Sequence, residues 1–214
     1  MKKQLTHSAC FPLHYFPPIP WFVAALRYER VYVDADQPYR KQRYHSRAFI
    51  KMPNRVLPLT IPVARRSARA PLRDKMVSFA EDWPGQHWRS LQMAYRRSPY
   101  YEYYEDRLRP LFEEPAPSLV AHNWRCLRLV AELLNLPQVM EEGAGPAGLD
   151  DFRGAFDPSL RQLPPWFEPV PYAQVFPPFA AGLSILDLLF NLGPESLIYL
   201  RDAWLGSGVA DEEA

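Results

Sequence analysis

Residues Gly182 to Leu200, GLSILDLLFNLGPESLIYL, constrain the fold more than any other stretch. Leu183, Ile185, Leu186, Leu188, Leu189 and Phe190 cover most of a helical circumference, the mark of a helix buried nearly all round. The polar residues Ser184, Asp187 and Asn191 are spaced by three and then four, which puts them on one narrow stripe. A carboxylate on such a stripe must be paired, hydrogen-bonded or open to a cleft. Asn191, then Gly193 and Pro194, read as a helix stop followed by a new start.

A chain of 214 residues with 48% apolar and 14% aromatic residues suits one α/β domain with a sizeable core. The net charge of +1 names no partner, but the distribution of charge is uneven. Between Arg27 and Arg73 the only acidic residues are Glu29, Asp34 and Asp36, while acid collects later, at Glu141–Glu142, Asp150–Asp151 and Asp211–Glu213. Arginine carries most of the positive charge, which suits recognition of carboxylate or phosphate and equally fits arginine-rich codon usage. Cys10 and Cys126 stand far apart, so neither a disulfide framework nor a zinc site is indicated, and a reducing compartment is expected. No apolar run follows Lys2 and Lys3, and no segment is long enough to span a bilayer. The 24 prolines mark boundaries and restrict long helices.

Ala9 to Tyr15 reads as a first strand, FPPIP (16–20) as a rigid turn, Trp21 to Tyr28 as a helix and RVYVD (30–34) as a second strand. Strand, helix, strand with short links is a Rossmann-like βαβ start, which favours parallel pairing. If Gln37 to Lys51 is extended in its later part, Lys41, Arg43, His45, Arg47 and Lys51 share one face. VLPLTIPV (56–63) is a further strand, and a hairpin turns near Pro53–Asn54. Asp82 caps a helix running to about Arg97, Ser98 caps the next with Pro99 at its first position, and Pro117 begins a third that ends near Asn135. Gln138 to Pro171 reads mostly as loop, Pro171 to Phe176 as a returning strand, and 206–214 as a disordered tail.

Motifs for a dinucleotide, a Walker loop, a serine nucleophile elbow or a catalytic zinc are all missing, and the five histidines lack metal-ligand spacing. Four candidates for chemistry are left. Lys41, Arg43, His45 and Arg47 form either an anion site or a solvated strand face. Asp187 is a general base, a substrate clamp or a structural partner of an arginine or lysine, with Arg47 or Lys41 the expected cation. His87, in DWPGQHW before the tyrosine-rich corner Tyr95 to Tyr104, is a catalytic candidate or a hydrogen-bonded core group. HYFPPIPWF, from His14 to Phe22, falls at the carboxyl end of a parallel strand, where α/β folds bind ligands.

These segments, in order, resemble the WbqC-like family. Its pattern corresponds here to Tyr15–Pro18, Tyr39 to Arg47, Ile61–Val63, Trp83 to Tyr104, Tyr172–Phe176 and Leu183–Pro194. SPYYEYY and the Leu183 helix are its most specific parts. The chain departs at Phe11, Pro12 and Leu13, where many members have His-Gln-Pro, at Ser46 and at Gly182, and it lacks a glycine-rich insert found in longer members. The resemblance implies a cytoplasmic modifying enzyme or accessory protein of surface-polysaccharide (O-antigen type) biosynthesis. A transferase of a small acyl or amino-acid group, glycyl included, has been suggested for the family.

The expectation is one α/β domain over residues 1–205, with a mixed, partly parallel sheet and helices packed on it. Asp187 and His87 are the catalytic candidates. Tyr15, Lys41, Arg43, Arg47, Tyr95, Tyr104, Gln174, Ser184 and Asn191 are the substrate-binding candidates. The expected ligand is a small molecule such as a sugar nucleotide or another phosphate-bearing compound, with no nucleic acid and no metal. No cofactor is specified, and the oligomeric state stays open. A non-catalytic binding or scaffold protein is the alternative, and it gains if the polar stripe and the basic segment line different pockets.

Overall fold

The computed structural model describes residues 6–67, 70–156 and 163–205. The tail expected at 206–214 lies outside the described residues. The chain is an α/β domain in which parallel and antiparallel pairings are divided between two sheets. The parallel sheet has the order β5-β2-β1-β6, with β1 at Thr6–Pro12, β2 at Tyr28–Asp34, β5 at Val139–Glu142 and β6 at Asp150–Asp151. β1 pairs with β2 in the register Cys10 to Tyr32 and Pro12 to Asp34. The β1–β2 connection is α1, Ile19–Ala25, so the expected βαβ start is present.

The second sheet is the hairpin of β3, Arg47–Met52, and β4, Arg55–Thr60, turning at Pro53–Asn54 as expected. Pro58 is tolerated in β4 because each strand of a two-stranded ribbon has one unpaired side. The helices are α2 (Trp83–Tyr95), α3 (Tyr101–Leu108), α4 (Pro110–Glu113), α5 (Leu119–Leu133), α6 (Ile185–Leu192) and α7 (Ser196–Asp202). Asp82 caps α2 by accepting from the Gly85 N–H at 3.0 Å, and Ser118 caps α5 by accepting from the Ala121 N–H at 3.3 Å.

α6 is the all-round buried helix that its sequence requires, buried from Ile185 to Asn191. Its entry stitches three elements together. Ser184 N–H donates to the Phe49 carbonyl of β3, its hydroxyl donates to the Phe16 carbonyl, and Ile19 and Ile185 exchange bonds with Leu183 and Pro17. Phe190 packs against Tyr95 and Tyr101, with ring centroids 4.9 and 5.1 Å away. α6 stops at Gly193, whose φ of +50° is left-handed. A Cβ there would stand 2.5 Å from the Tyr100 ring, so glycine is required twice over.

Four local expectations are corrected. Residues 41–46 form successive turns rather than strand, because Gln42 takes φ +62° and breaks the extended run. Lys41 is then exposed, Arg43 half-buried and His45 buried, so they share no strand face. Ser98 does not cap α3, whose N-cap is Tyr100; its hydroxyl instead donates back to the Tyr95 carbonyl at 2.6 Å. The segment 138–171, expected as loop, supplies β5 and β6, whose acidic residues are matched by Arg30 on Glu141 and the Tyr28 hydroxyl on Asp150. Pro171 to Phe176 is not a strand; Gln174 uses its amide to bond both the N–H and the carbonyl of Ala180. Among the described residues no helix is long and apolar enough to cross a membrane.

Candidate functional site

The carboxyl ends of β1, β2 and β6 open into a cleft of about 620 Å³. This is the end of a parallel sheet at which α/β folds bind ligands. The chain leaving β1 contributes His14, β2 ends on Asp34, and the chain leaving β6 contributes Arg153. The turns after β2 add Arg40, Arg43, Tyr44 and His45.

Charge in the cleft is organised. Arg153 grips Asp151 with two N–H groups, at 2.9 and 2.7 Å, and reaches the buried Asp34 at 3.0 Å. Asp34 also accepts from the Asp36 N–H at 2.7 Å, and Asp36 pairs with Arg73. The acidic side chains of the cleft are thus matched, while Arg40 and Arg43 bring positive charge to the wall that carries His45.

His14 and His45 stand nearly edge to face, with ring centroids 5.5 Å apart. Burial lowers the pKa of both; His45 depresses His14 further, and Arg40 and Arg43 depress His45. Both rings are neutral at pH 7. Nδ1 of His45 lies 3.2 Å from the Leu13 carbonyl, which can only accept, so Nδ1 carries the hydrogen and Nε2 is the basic nitrogen. The segment holding this ring is irregular but tightly tied. Tyr15 N–H donates to the Tyr44 carbonyl, the Asn123 amide donates to the His45 carbonyl, and Ile61 N–H donates to the Ser46 carbonyl, at 2.8, 2.7 and 2.8 Å.

The α1 N-terminus offers no phosphate cradle of the dinucleotide type. Ile19 N–H is spent on Leu183, Pro20 has none and Trp21 N–H is spent on Pro18. A phosphate in this cleft would be held by side chains, with the guanidiniums of Arg40 and Arg43 the suited type.

Asp187 is elsewhere, fully buried beneath the 172–174 segment. It accepts from the Tyr95 and Tyr172 hydroxyls at 2.9 and 2.5 Å and from the Gln174 amide at 2.8 Å. Among the described residues the expected arginine or lysine partner is absent: tyrosines and a glutamine satisfy the carboxylate without importing a second charge into the core. Burial raises its pKa despite these donors. Asn191 donates to the Asp187 backbone carbonyl at 2.7 Å, and Ser184 serves as the α6 N-cap.

His87 belongs to a third, enclosed group. Its ring accepts at Nδ1 from the Tyr15 hydroxyl, 3.0 Å away, while its other N–H serves the Thr60 carbonyl. His122 lies close by, against Trp83 and Tyr15. Burial lowers both imidazoles to about 4.

Of the residues singled out from sequence, the structure brings Tyr95, Gln174, Asp187 and Asn191 together, and Tyr15 with His87. Arg43 lines the cleft; Lys41 and Arg47 do not, and Tyr104 lines a separate cavity near the end of α5. Asp34, Arg40, Asp151 and Arg153 were not among those singled out. Asp34, closing a strand, carried a signal, whereas Asp151 and Arg153 sat in a segment with none. Among the described residues no cluster of three or more metal-ligating side chains exists.

The model of the WbqC-like protein family matches residues 13–144 and 165–199. The uncharacterized protein Rv1507c of Mycobacterium tuberculosis is 28% identical over 199 residues, covering 78% of this chain and 85% of that protein. No solved structure matches the chain.

Proposed function

Since the chain belongs to the WbqC-like protein family, we propose that its cleft binds a sugar nucleotide and supports transfer of a small acyl or amino-acid group onto it. The observation that carries this reading is His45: a neutral imidazole with its tautomer set by Leu13, lining a cleft beside Arg40 and Arg43. The guanidinium groups would hold the diphosphate. Nε2 of His45 would take the proton from the attacking amine or hydroxyl as the new bond to the acyl carbon forms, and would return it to the donor's leaving oxygen or sulfur as the bond from that atom to the acyl carbon breaks. Asp187 and His87, the catalytic candidates from sequence, have no place in this chemistry and act from within the fold. The role fits surface-polysaccharide biosynthesis of the O-antigen type.

One observation favours a second reading. The polar stripe of α6 is sealed inside the fold, apart from the arginines of the cleft, and this separation is the arrangement expected of a binding or scaffold protein that performs no transfer. Calorimetric titration with UDP-glucose and UDP-N-acetylglucosamine tests both readings. Binding that Arg43→Ala weakens supports the cleft, and silence with every nucleotide sugar overturns it. Mass spectrometry of the bound sugar nucleotide after incubation with aminoacyl and acyl donors then separates the two. A mass gain that His45→Ala abolishes is transfer; binding without a gain is the scaffold reading.

A further inference from the structure

A second cavity, of about 460 Å³, lies between α3, the end of α5 and the turn from α6 to α7, and it shares no lining residue with the cleft. Its size falls within the range of about 300–1,000 Å³ typical of small-molecule sites. Tyr103 forms one wall and is 74% exposed, although Tyr101 and Tyr104 on the same helix are buried. A lone exposed tyrosine means little. Here it stands over a polar rim. Arg107 of α3 pairs with Glu132 of α5 at 2.7 Å, with both side chains more than half exposed. Asn135, left-handed at φ +51°, ends α5 beside them. Leu133, Pro194 and Leu197 supply apolar surface.

We propose that this cavity binds an uncharged sugar ring, a pyranose residue of a glycan. A pyranose has an apolar C–H face that packs on one aromatic ring, as Tyr103 offers. Its neighbouring hydroxyls each donate and accept. Glu132 only accepts, Arg107 only donates and Asn135 does both, so a vicinal pair finds matching partners. The Arg107–Glu132 pair leaves no surplus positive charge, which disfavours phosphate here. The second ring of the lining, Tyr104, stands edge-on to Tyr103 at an interplanar angle of 87° rather than parallel to it, so the two offer a nucleobase no sandwich. The inference does not depend on the reading of the cleft.

Saturation-transfer NMR on the intact protein, with the methyl glycosides of glucose, galactose and N-acetylglucosamine as probes and uridine as the counter-probe, tests it. At least one glycoside should receive transfer, strongest on its ring C–H protons. Tyr103→Ala should weaken that binding about tenfold, as loss of a stacked ring does, and Glu132→Gln should weaken it as well. Circular dichroism of the variants should match the parent, since both positions are exposed. Titration of Tyr103→Ala with UDP-glucose reads the cleft separately. No transfer from any glycoside, transfer unaffected by both variants, or Tyr103-dependent binding of uridine alone would each overturn the proposal.

Discussion

The side-chain amide of Asn123, in α5, holds the backbone carbonyl of His45 at 2.7 Å, both groups buried. A helix thereby fixes a turn 78 positions away that has no secondary structure of its own. Asn123→Ala strands that carbonyl, at a cost of about 1–3 kcal/mol. It should also weaken nucleotide-sugar binding, because Arg43 and His45 ride on the same turn. Denaturant midpoints and calorimetry on one preparation check both effects; a stability loss with unchanged affinity would separate Asn123 from the cleft.

Asp187→Asn should be mild. No buried cation is left behind; the Asn oxygen can still accept from Tyr172 and Gln174, while its NH2 faces the Tyr95 hydroxyl, which can accept as well as donate. The expected loss at neutral pH is below about 1.5 kcal/mol, against about 2–5 kcal/mol for Asp187→Leu, which removes the acceptor altogether. The pH dependence has a definite sign. Because burial raises this carboxyl above 3.8, the folded protein holds its proton more tightly than the unfolded chain. This contribution is present at low pH and is lost as pH rises through the raised value. Denaturation of parent and Asp187→Asn across that range should show the parent losing ground to the variant with rising pH.

His87 and His122 act in the opposite direction. Both fall from 6.5 to about 4 on burial, so the unfolded chain binds more protons between those values. Stability should therefore decline as pH drops from 6.5 towards 4, with each imidazole contributing a slope of up to about 1.4 kcal/mol per pH unit. Unfolding midpoints of His122→Gln over this window should fall less steeply than those of the parent.

Ser98→Asp distinguishes the two roles of Ser98. At an N-cap aspartate is welcome. Here the hydroxyl donates to the Tyr95 carbonyl, and a carboxylate would face that oxygen with nothing to donate. Ser98→Ala should cost about 0.5–1.5 kcal/mol, and Ser98→Asp clearly more, in paired denaturation curves.

Local signals were legible where a few neighbouring residues decide the outcome. Asp82 before Pro84, Pro53–Asn54 between apolar runs, and Gly193–Pro194 each mark a boundary that the backbone obeys. The edges of the parallel sheet were not legible, because β5 and β6 are short and acidic and exist only against strands already in place. For Asp187 the need for partners was evident, but its donors, Tyr95 and Tyr172, are 92 and 15 positions away and carry no mark of their role. The cleft was half visible. The turn after β1 and Arg43 pointed to it, while Arg153 is drawn in by pairing with Asp34, 119 positions apart.

The order of strands also fixes a timetable for synthesis. β1 and β2 are made by residue 34, yet the strand beside each, β6 for one and β5 for the other, is translated only after residue 138. α1, wholly buried in the folded domain, likewise waits for α6 and α7, which follow it in the chain only after residue 184. Between the synthesis of β2 and that of these partners, the nascent domain therefore carries two parallel strands with bare edges and an uncovered apolar helix. Until α6 and α7 emerge, such a chain is a natural client for chaperones.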